Sequence, residues 1–112
     1  MILFCALMFV LSGLLVTLLS VPLIRRQVPP NGLYGFRTEK TLGNESVWYQ
    51  ANEYAGKRLL LTGIAWIAVA LLMLLVPFLR DNFLWYVGVN TITTLVGTFT
   101  ALFASVAYSE KL

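Results

Sequence analysis

The sequence predicts an all-α integral membrane protein: three transmembrane helices, with a structured loop between the first and second. Three observations carry this. Of 112 residues, 59% are hydrophobic and only 12% charged, against about 25% charged in an ordinary soluble domain. Residues 2–24, 59–79 and 83–109 are three long runs without a single charge. Six of the eight basic residues fall between the first two runs. A soluble fold this small cannot hide so much apolar surface, and a mean hydropathy of +0.81 assigns the chain to a bilayer. The length allows one membrane domain, residues 1–112.

The first run, ILFCALMFVLSGLLVTLLSVPLI, exceeds the ~20 apolar residues that cross the hydrocarbon core as a helix. Helices are the default in lipid because each backbone group must be bonded internally. A signal peptide opens on a basic stretch and ends at a small-residue cleavage site. Here no Lys or Arg precedes Ile2, and Arg25 and Arg26 follow the run, so it is expected to be a retained helix. Cys5, the single cysteine, cannot form an internal disulfide and is read as a small apolar residue facing lipid or a neighbouring helix.

The loop opens with QVPPNGLYGFRTEK, residues 27–40. Val28 and Pro29 each precede a proline and are biased away from helix, so the first helix ends before them. Pro29-Pro30-Asn31-Gly32 is turn chemistry, with fixed φ at the prolines and tolerance of positive φ at Asn and Gly. Gly35 adds a second permissive position between Tyr34 and Phe36. This is a stiff loop rather than a floppy linker.

Asn44 is a good helix N-cap, with Glu45 where the dipole favours an anion; Thr41 is the alternative cap. No breaker follows until Pro77. Val47, Trp48, Ala51, Tyr54, Ala55 and Arg58 recur at three-four spacing, so the second helix begins in the loop segment as an amphipathic stretch and continues into the span at 59–79. Trp48, Tyr49 and Tyr54 suit the interface. Trp48 and Asn52 share one face, with Ala55 and Gly56 beside it, and two uses are open: docking the loop or forming a partner groove.

The third helix, 83–109, is the most polar. Its Thr and Ser residues can bond their own helix, but Asn90 needs a partner. Thr93, Gly97, Ala101 and Ser105 recur every four residues as a small-residue seam. The second helix offers Gly56, Gly63 and Ala70 and the first offers Gly13 and Thr17. Such seams pack helices together or drive self-association into a homo-oligomer.

Arg25, Arg26, Arg37, Lys40, Lys57 and Arg58 lie between the first two helices; Arg80 lies in the second connection and Lys111 near the C-terminus. Basic loops stay cytoplasmic, which puts the N-terminus outside, residues 25–58 inside and the C-terminus inside. The pI near 9.3 reflects this asymmetry rather than a nucleic-acid surface, and the cluster suits anionic lipid heads.

The order Pro29-Pro30-Asn31, Tyr34-Gly35-Phe36-Arg37-Thr38, Thr41-Leu42, Trp48, Ala51-Asn52 and Gly56 resembles the signature of the SdpI family, the membrane immunity proteins for the sporulation-delaying-protein toxin and their relatives. The likeness covers about residues 22–80, with Glu39 where many members carry proline, and the chain is similar to a short three-helix member. The resemblance implies a multi-pass protein of the bacterial inner membrane that protects against a secreted antimicrobial peptide or protein toxin and relays a signal to a cytoplasmic regulator.

Arg37, with five donors, is the sharpest candidate in the loop. It either clamps a polar group of a lipid or partner, together with Asn31 and Asn52, or ties the loop to a helix end. No histidine is present. Without it, a nucleophile-base pair, a metal-ligand cluster or a phosphate loop, neither catalysis nor a cofactor is expected; Glu45 and Glu53 are too far apart on a solvated helix to act as paired carboxylates. The alternative function is a small oligomeric channel or transporter subunit, its path lined by the Asn/Thr-rich third helix. Against it, no charged residue lies in the spans, and such groups usually mark ion routes.

Overall fold

A computed structural model describes residues 2–112 and contains five helices: α1 (Ile2–Ile24), α2 (Glu39–Leu42), α3 (Glu45–Met73), α4 (Pro77–Asp81) and α5 (Phe83–Glu110). α1, α3 and α5 are each long and apolar enough to cross a membrane. α3 is the middle helix, packed along α1 on one side and α5 on the other, while α1 and α5 barely touch. The bundle is 50 Å long and about 20 Å across, with extents of 22 and 19 Å. Its two ends are the loop end, carrying residues 25–44, and the hairpin end, carrying residues 74–82.

Small residues set the closeness of α1 and α3. A Cβ added at Gly13 would lie 2.8 Å from the Gly63 carbonyl oxygen, and one at Gly63 would lie 2.7 Å from the Gly13 carbonyl and collide with the Thr17 hydroxyl. Nearer the loop end, a Cβ at Gly56 would come within 3.0 Å of the Ser20 carbonyl. Backbones approach this closely only where no side chain intervenes, which is how helices gain packing in lipid. Lipid-facing leucines cover the opposite face of α1, including Leu3, Leu7, Leu11, Leu14 and Leu18.

The end of α1 is closed by a 6→1 and 5→2 pair of bonds, Gln27 N–H to the Pro22 carbonyl at 2.9 Å and Arg26 N–H to the Leu23 carbonyl at 3.2 Å. This is a Schellman cap, and its left-handed position is filled by Arg26 at φ 57° instead of the usual glycine.

α3 begins where Asn44 caps it, its side chain accepting from Val47 N–H. Its 29 residues span about 43 Å, against a hydrocarbon core of about 30 Å. The helix is thus about nine residues longer than a straight crossing requires, and its charged residues, Glu45, Glu53, Lys57 and Arg58, all lie in its first half. The other boundary differs from the sequence reading. The helix stops at Met73, not near residue 79. Pro77 holds Val76 in extended backbone, φ −97° and ψ 110°, because the ring excludes helical geometry from the residue before it. Leu74–Val76 form a turn and Pro77 starts α4 at a position where its missing N–H costs nothing.

At the hairpin end Ala6, Met73 and Tyr86 form a buried cluster, with Cys5 and Phe9 packed against it. The Tyr86 hydroxyl donates to the Ala70 carbonyl at 2.9 Å. Asn90 is buried and donates to the Tyr86 carbonyl at 2.9 Å and to Met73 Sδ at 3.3 Å. Ala101 and Ser105 are also buried. Gly97 has Thr62 and the Trp66 indole against it.

Candidate functional site

At the loop end, residues 27–43 fold back over the first turns of α3 as a cap. Asn31 organises its start. Its carbonyl accepts from Leu33 N–H (2.9 Å) and Tyr34 N–H (2.7 Å), and its amide donates to the Pro29 carbonyl (2.8 Å) and the Tyr34 carbonyl (3.0 Å). All of these partners are loop backbone, so the residue substitutes for the ladder that an irregular segment lacks. Arg37 donates to the Gly32 carbonyl, and so closes the same turn from the other side; its side chain is otherwise exposed.

The cap is fixed to α3 by Trp48 and Asn52, one helical turn apart. Trp48 is fully buried, and its indole N–H donates to the Val28 carbonyl at 2.7 Å. The buried Asn52 accepts from Phe36 N–H and donates to the Phe36 carbonyl at 3.2 Å and to the Trp48 carbonyl at 3.0 Å. Gly35 crosses between them at φ 117°, where an added Cβ would meet Asn52 Oδ1 at 2.8 Å and the Trp48 ring at 3.1 Å. The position therefore requires glycine twice over, by conformation and by space. The Tyr34 hydroxyl donates to the Leu19 carbonyl of α1, and burial pushes the phenol above its ordinary range, which keeps the donor protonated.

Thr38 and Thr41 shape the cap's second half. Thr38 caps α2 in a reciprocal box with Thr41: Thr41 N–H donates to the Thr38 hydroxyl at 3.2 Å, and Thr38 N–H donates to the Thr41 hydroxyl at 2.8 Å. Thr41 is thus a buried member of α2 and not the cap of α3. Its hydroxyl also lies 3.1 Å from the Phe36 carbonyl and can donate to it. Lys40 reaches across to the Glu110 carbonyl at the end of α5, 3.2 Å away.

One site feature had no sequence signal beyond the charges themselves. Arg26, displayed outward by its left-handed backbone, donates through Nε (3.0 Å) and Nη2 (2.7 Å) to Glu53 Oε2. Lys57 adds a longer contact to Glu53 at 3.7 Å. These ties join the end of α1 to α3.

The sequence matches the SdpI/YfhL protein family over residues 27–109. The chain belongs to the SdpI/YfhL family. No curated protein and no solved structure matches it. The matched stretch begins at the residue that completes the α1 cap and runs almost to the end of α5.

Within the matched stretch, the loop and the start of α3 converge on one assembly. Asn31, Gly35, Arg37, Thr38, Trp48 and Asn52 are occupied in building it. What the assembly presents is a groove of about 370 Å³, roofed by Tyr34, Gly35 and Phe36 and lined below by Leu19, Leu59 and Thr98 among others. The groove lies between α1 and α5 with α3 as its floor, and it exists because those two helices barely meet. Its walls are overwhelmingly apolar, with Ser105 and Thr98 hydroxyls spent on their own helix carbonyls. Leu33, 92% exposed, stands at the tip of the rigid turn beside the roof.

Proposed function

We propose that this chain is an immunity-type protein of the bacterial plasma membrane, which protects the cell from a secreted antimicrobial peptide or protein toxin by engaging it within the bilayer at the capped groove. The loop end faces the cytoplasm in this reading, following the basic residues. The observation that carries the proposal is the convergence of the loop and the start of α3, within the family-matched stretch, on a rigid cap that roofs an apolar groove open to lipid. An apolar slot with few polar groups suits a hydrophobic peptide segment that has already entered the membrane. The cap, on the cytoplasmic side in this reading, is where a regulator would read the bound state.

A channel subunit has less support. Thr93, Thr94, Thr98 and Ser105 each donate to a carbonyl of their own helix, and Asn90 is satisfied between α5 and α3. These groups are turned to internal bonding rather than to a shared polar path.

The test is survival of sensitive cells expressing the chain under a panel of secreted antimicrobial peptides. Protection is expected from the wild type and loss of protection from Thr98→Phe, which fills the groove from an exposed α5 position, at unchanged protein level. Survival no better than that of cells lacking the chain, across the panel, refutes the proposal. Full protection by Thr98→Phe moves the site away from the groove. Leu33→Cys reports orientation: a membrane-impermeant maleimide should label it only after permeabilisation.

A further inference from the structure

A second groove lies on the other side of α3, against α5. It measures about 440 Å³ and shares only Ala101 with the first. Gly97 opens it: a Cβ there would press on Thr62 at 3.0 Å and on Trp66 Nε1 at 3.2 Å. Its flanks are hydrocarbon, with Leu61 and Ala65 from α3 and Ile92 and Val96 from α5, and these four are largely exposed or half-exposed. At its loop end stands Arg58.

Among the cations of this end Arg58 is set apart by a buried donor, since Arg25 and Lys111, which also lack an ion pair, are exposed. Arg26 and Lys57 share Glu53, Arg37 serves Gly32 and Lys40 serves Glu110. Arg58 joins no ion pair among the described residues, and its Nε is buried without an acceptor. The guanidinium is not adrift. It sits 5.8 Å from the centroid of the Tyr54 ring, and Tyr54 is itself stacked on Tyr108 with centroids 4.2 Å apart. A cation–π contact holds the group without using its N–H donors. Further down the same groove, eight residues along α3, Trp66 Nε1 is the second buried donor without a partner. Unanswered donors beside hydrocarbon are costly, and both such donors found among the described residues line this one slot.

We propose that the α3–α5 groove is a binding site for an anionic phospholipid, its phosphate held by Arg58 and an acyl chain lying along Leu61, Ala65, Ile92 and Val96. Charge complementarity selects the occupant. The slot offers one cation with a planar fork that matches phosphate oxygens, and no carboxylate lines it. Arg58 lies about 20 Å along α3 from Glu45, near where that helix enters the core, and its long side chain reaches back toward the headgroups. Tyr54 and Tyr108 sit at the same level, as interfacial aromatics do. The site is separate from the capped groove, and the proposal stands whether or not that groove binds a toxin.

The experiment uses the full chain in detergent micelles, titrated with phosphatidylglycerol or with phosphatidylcholine of identical chains, and counts bound lipid by native mass spectrometry. Phosphatidylglycerol is expected to bind at least about tenfold more tightly, because the choline cation of phosphatidylcholine offsets the phosphate charge that Arg58 answers. Arg58→Gln should bring the two lipids within about twofold, while Arg25→Gln, an exposed cation of the same end, should leave the preference intact. Val96→Trp, at an exposed wall position, should weaken binding of phosphatidylglycerol without changing charge, and so tests the slot if Arg58→Gln folds poorly. Inorganic phosphate at equal concentration should not compete. The proposal is overturned if Arg58→Gln keeps the tenfold preference, if Arg25→Gln abolishes it equally, if phosphate alone displaces the lipid, or if the groove is filled by a second copy, seen as a dimer cross-linked through Leu61 and Val96.

Discussion

Asn52→Leu isolates the bond set that fixes the cap to the bundle. Leucine matches asparagine roughly in size but removes one acceptor and two donors. The consequences are unequal. The Trp48 carbonyl lies within α3 and retains its helical partner. The Phe36 carbonyl retains the Thr41 hydroxyl at 3.1 Å. The Phe36 N–H has only Asn52 Oδ1, and a buried donor left unanswered costs about 1–3 kcal/mol. Adding a smaller loss for the two donor bonds gives about 3 kcal/mol. This acts on the cap and not on the helix–helix seams, so the loop should open locally while helix content stays constant. At 1.4 kcal/mol per tenfold, the open population rises more than about a hundredfold. Limited trypsin cleavage after Arg37, with the protein in nanodiscs, reads that population directly when reclosing is faster than cleavage. Cleavage of Asn52→Leu at the wild-type rate would refute the assignment of Asn52 as the tie, and a loss of helical ellipticity would show that the cap and bundle fold as one unit.

The remaining predictions address other contacts. Gly35→Ala should open the cap by about 2 kcal/mol or more, from left-handed backbone and the contact with Asn52, whereas Gly32→Ala, with nothing within 4 Å of the new Cβ, should change protease resistance little; equal effects would contradict the geometry. Gly63→Ala forces a Cβ against the Gly13 carbonyl and the Thr17 hydroxyl, so α1 must move away and thermal stability in micelles should fall by about 1–3 kcal/mol. Arg26→Gly relieves a left-handed residue at a cost of a surface ion pair worth about 0.2–1 kcal/mol, while Arg26→Ala loses the pair and keeps the strain. The glycine variant should therefore be about 1 kcal/mol more stable than the alanine variant, and equal melting of the two would show that the cap is not strained. Trp48→Phe strands the Val28 carbonyl and should cost about 1–3 kcal/mol more than Trp66→Phe, which breaks no hydrogen bond; chemical denaturation in mixed micelles compares them.

Much of the fold was legible because lipid leaves few options. A charge-free run of twenty-odd residues must be helical, and the runs at 2–24 and 83–109 coincide with α1 and nearly all of α5. The early start of α3 was legible through Asn44 and the three-four spacing from Val47. Gly13, Thr17, Gly56 and Gly63 were legible as a seam because small residues in lipid have little other use. The break after Met73 was missed in extent because proline's reach backward depends on how far the preceding turn unwinds, and that is decided by packing at the hairpin end. α2 escaped notice because four residues carry no periodicity, although the Thr38 and Thr41 pair is its signal in hindsight. Arg26 in a left-handed cap was invisible, since sequence favours glycine there and only the partner Glu53, on another helix, draws arginine to it. Neither groove could be read in advance. Each is a space left between helices, and residue identity does not encode an absence of contact.

Backbone bonding gives the Asn, Thr and Gly residues of the cap their structural use. An irregular segment resting on a membrane bundle has backbone groups that neither a ladder nor bulk water fully satisfies. Asn31 answers four of them, Asn52 three, and Thr38 and Thr41 answer each other. Gly35 lets the chain pass between Asn52 and Trp48. These residue types and spacings are thus the instructions for folding a platform. What the platform displays is Leu33 at its tip, and what it roofs are the α1 and α5 side chains beneath Tyr34 and Phe36. The bonds that fix the loop are made by Asn31, Thr38, Thr41 and, from α3, Asn52, while Leu33 in the same loop stands exposed at the tip.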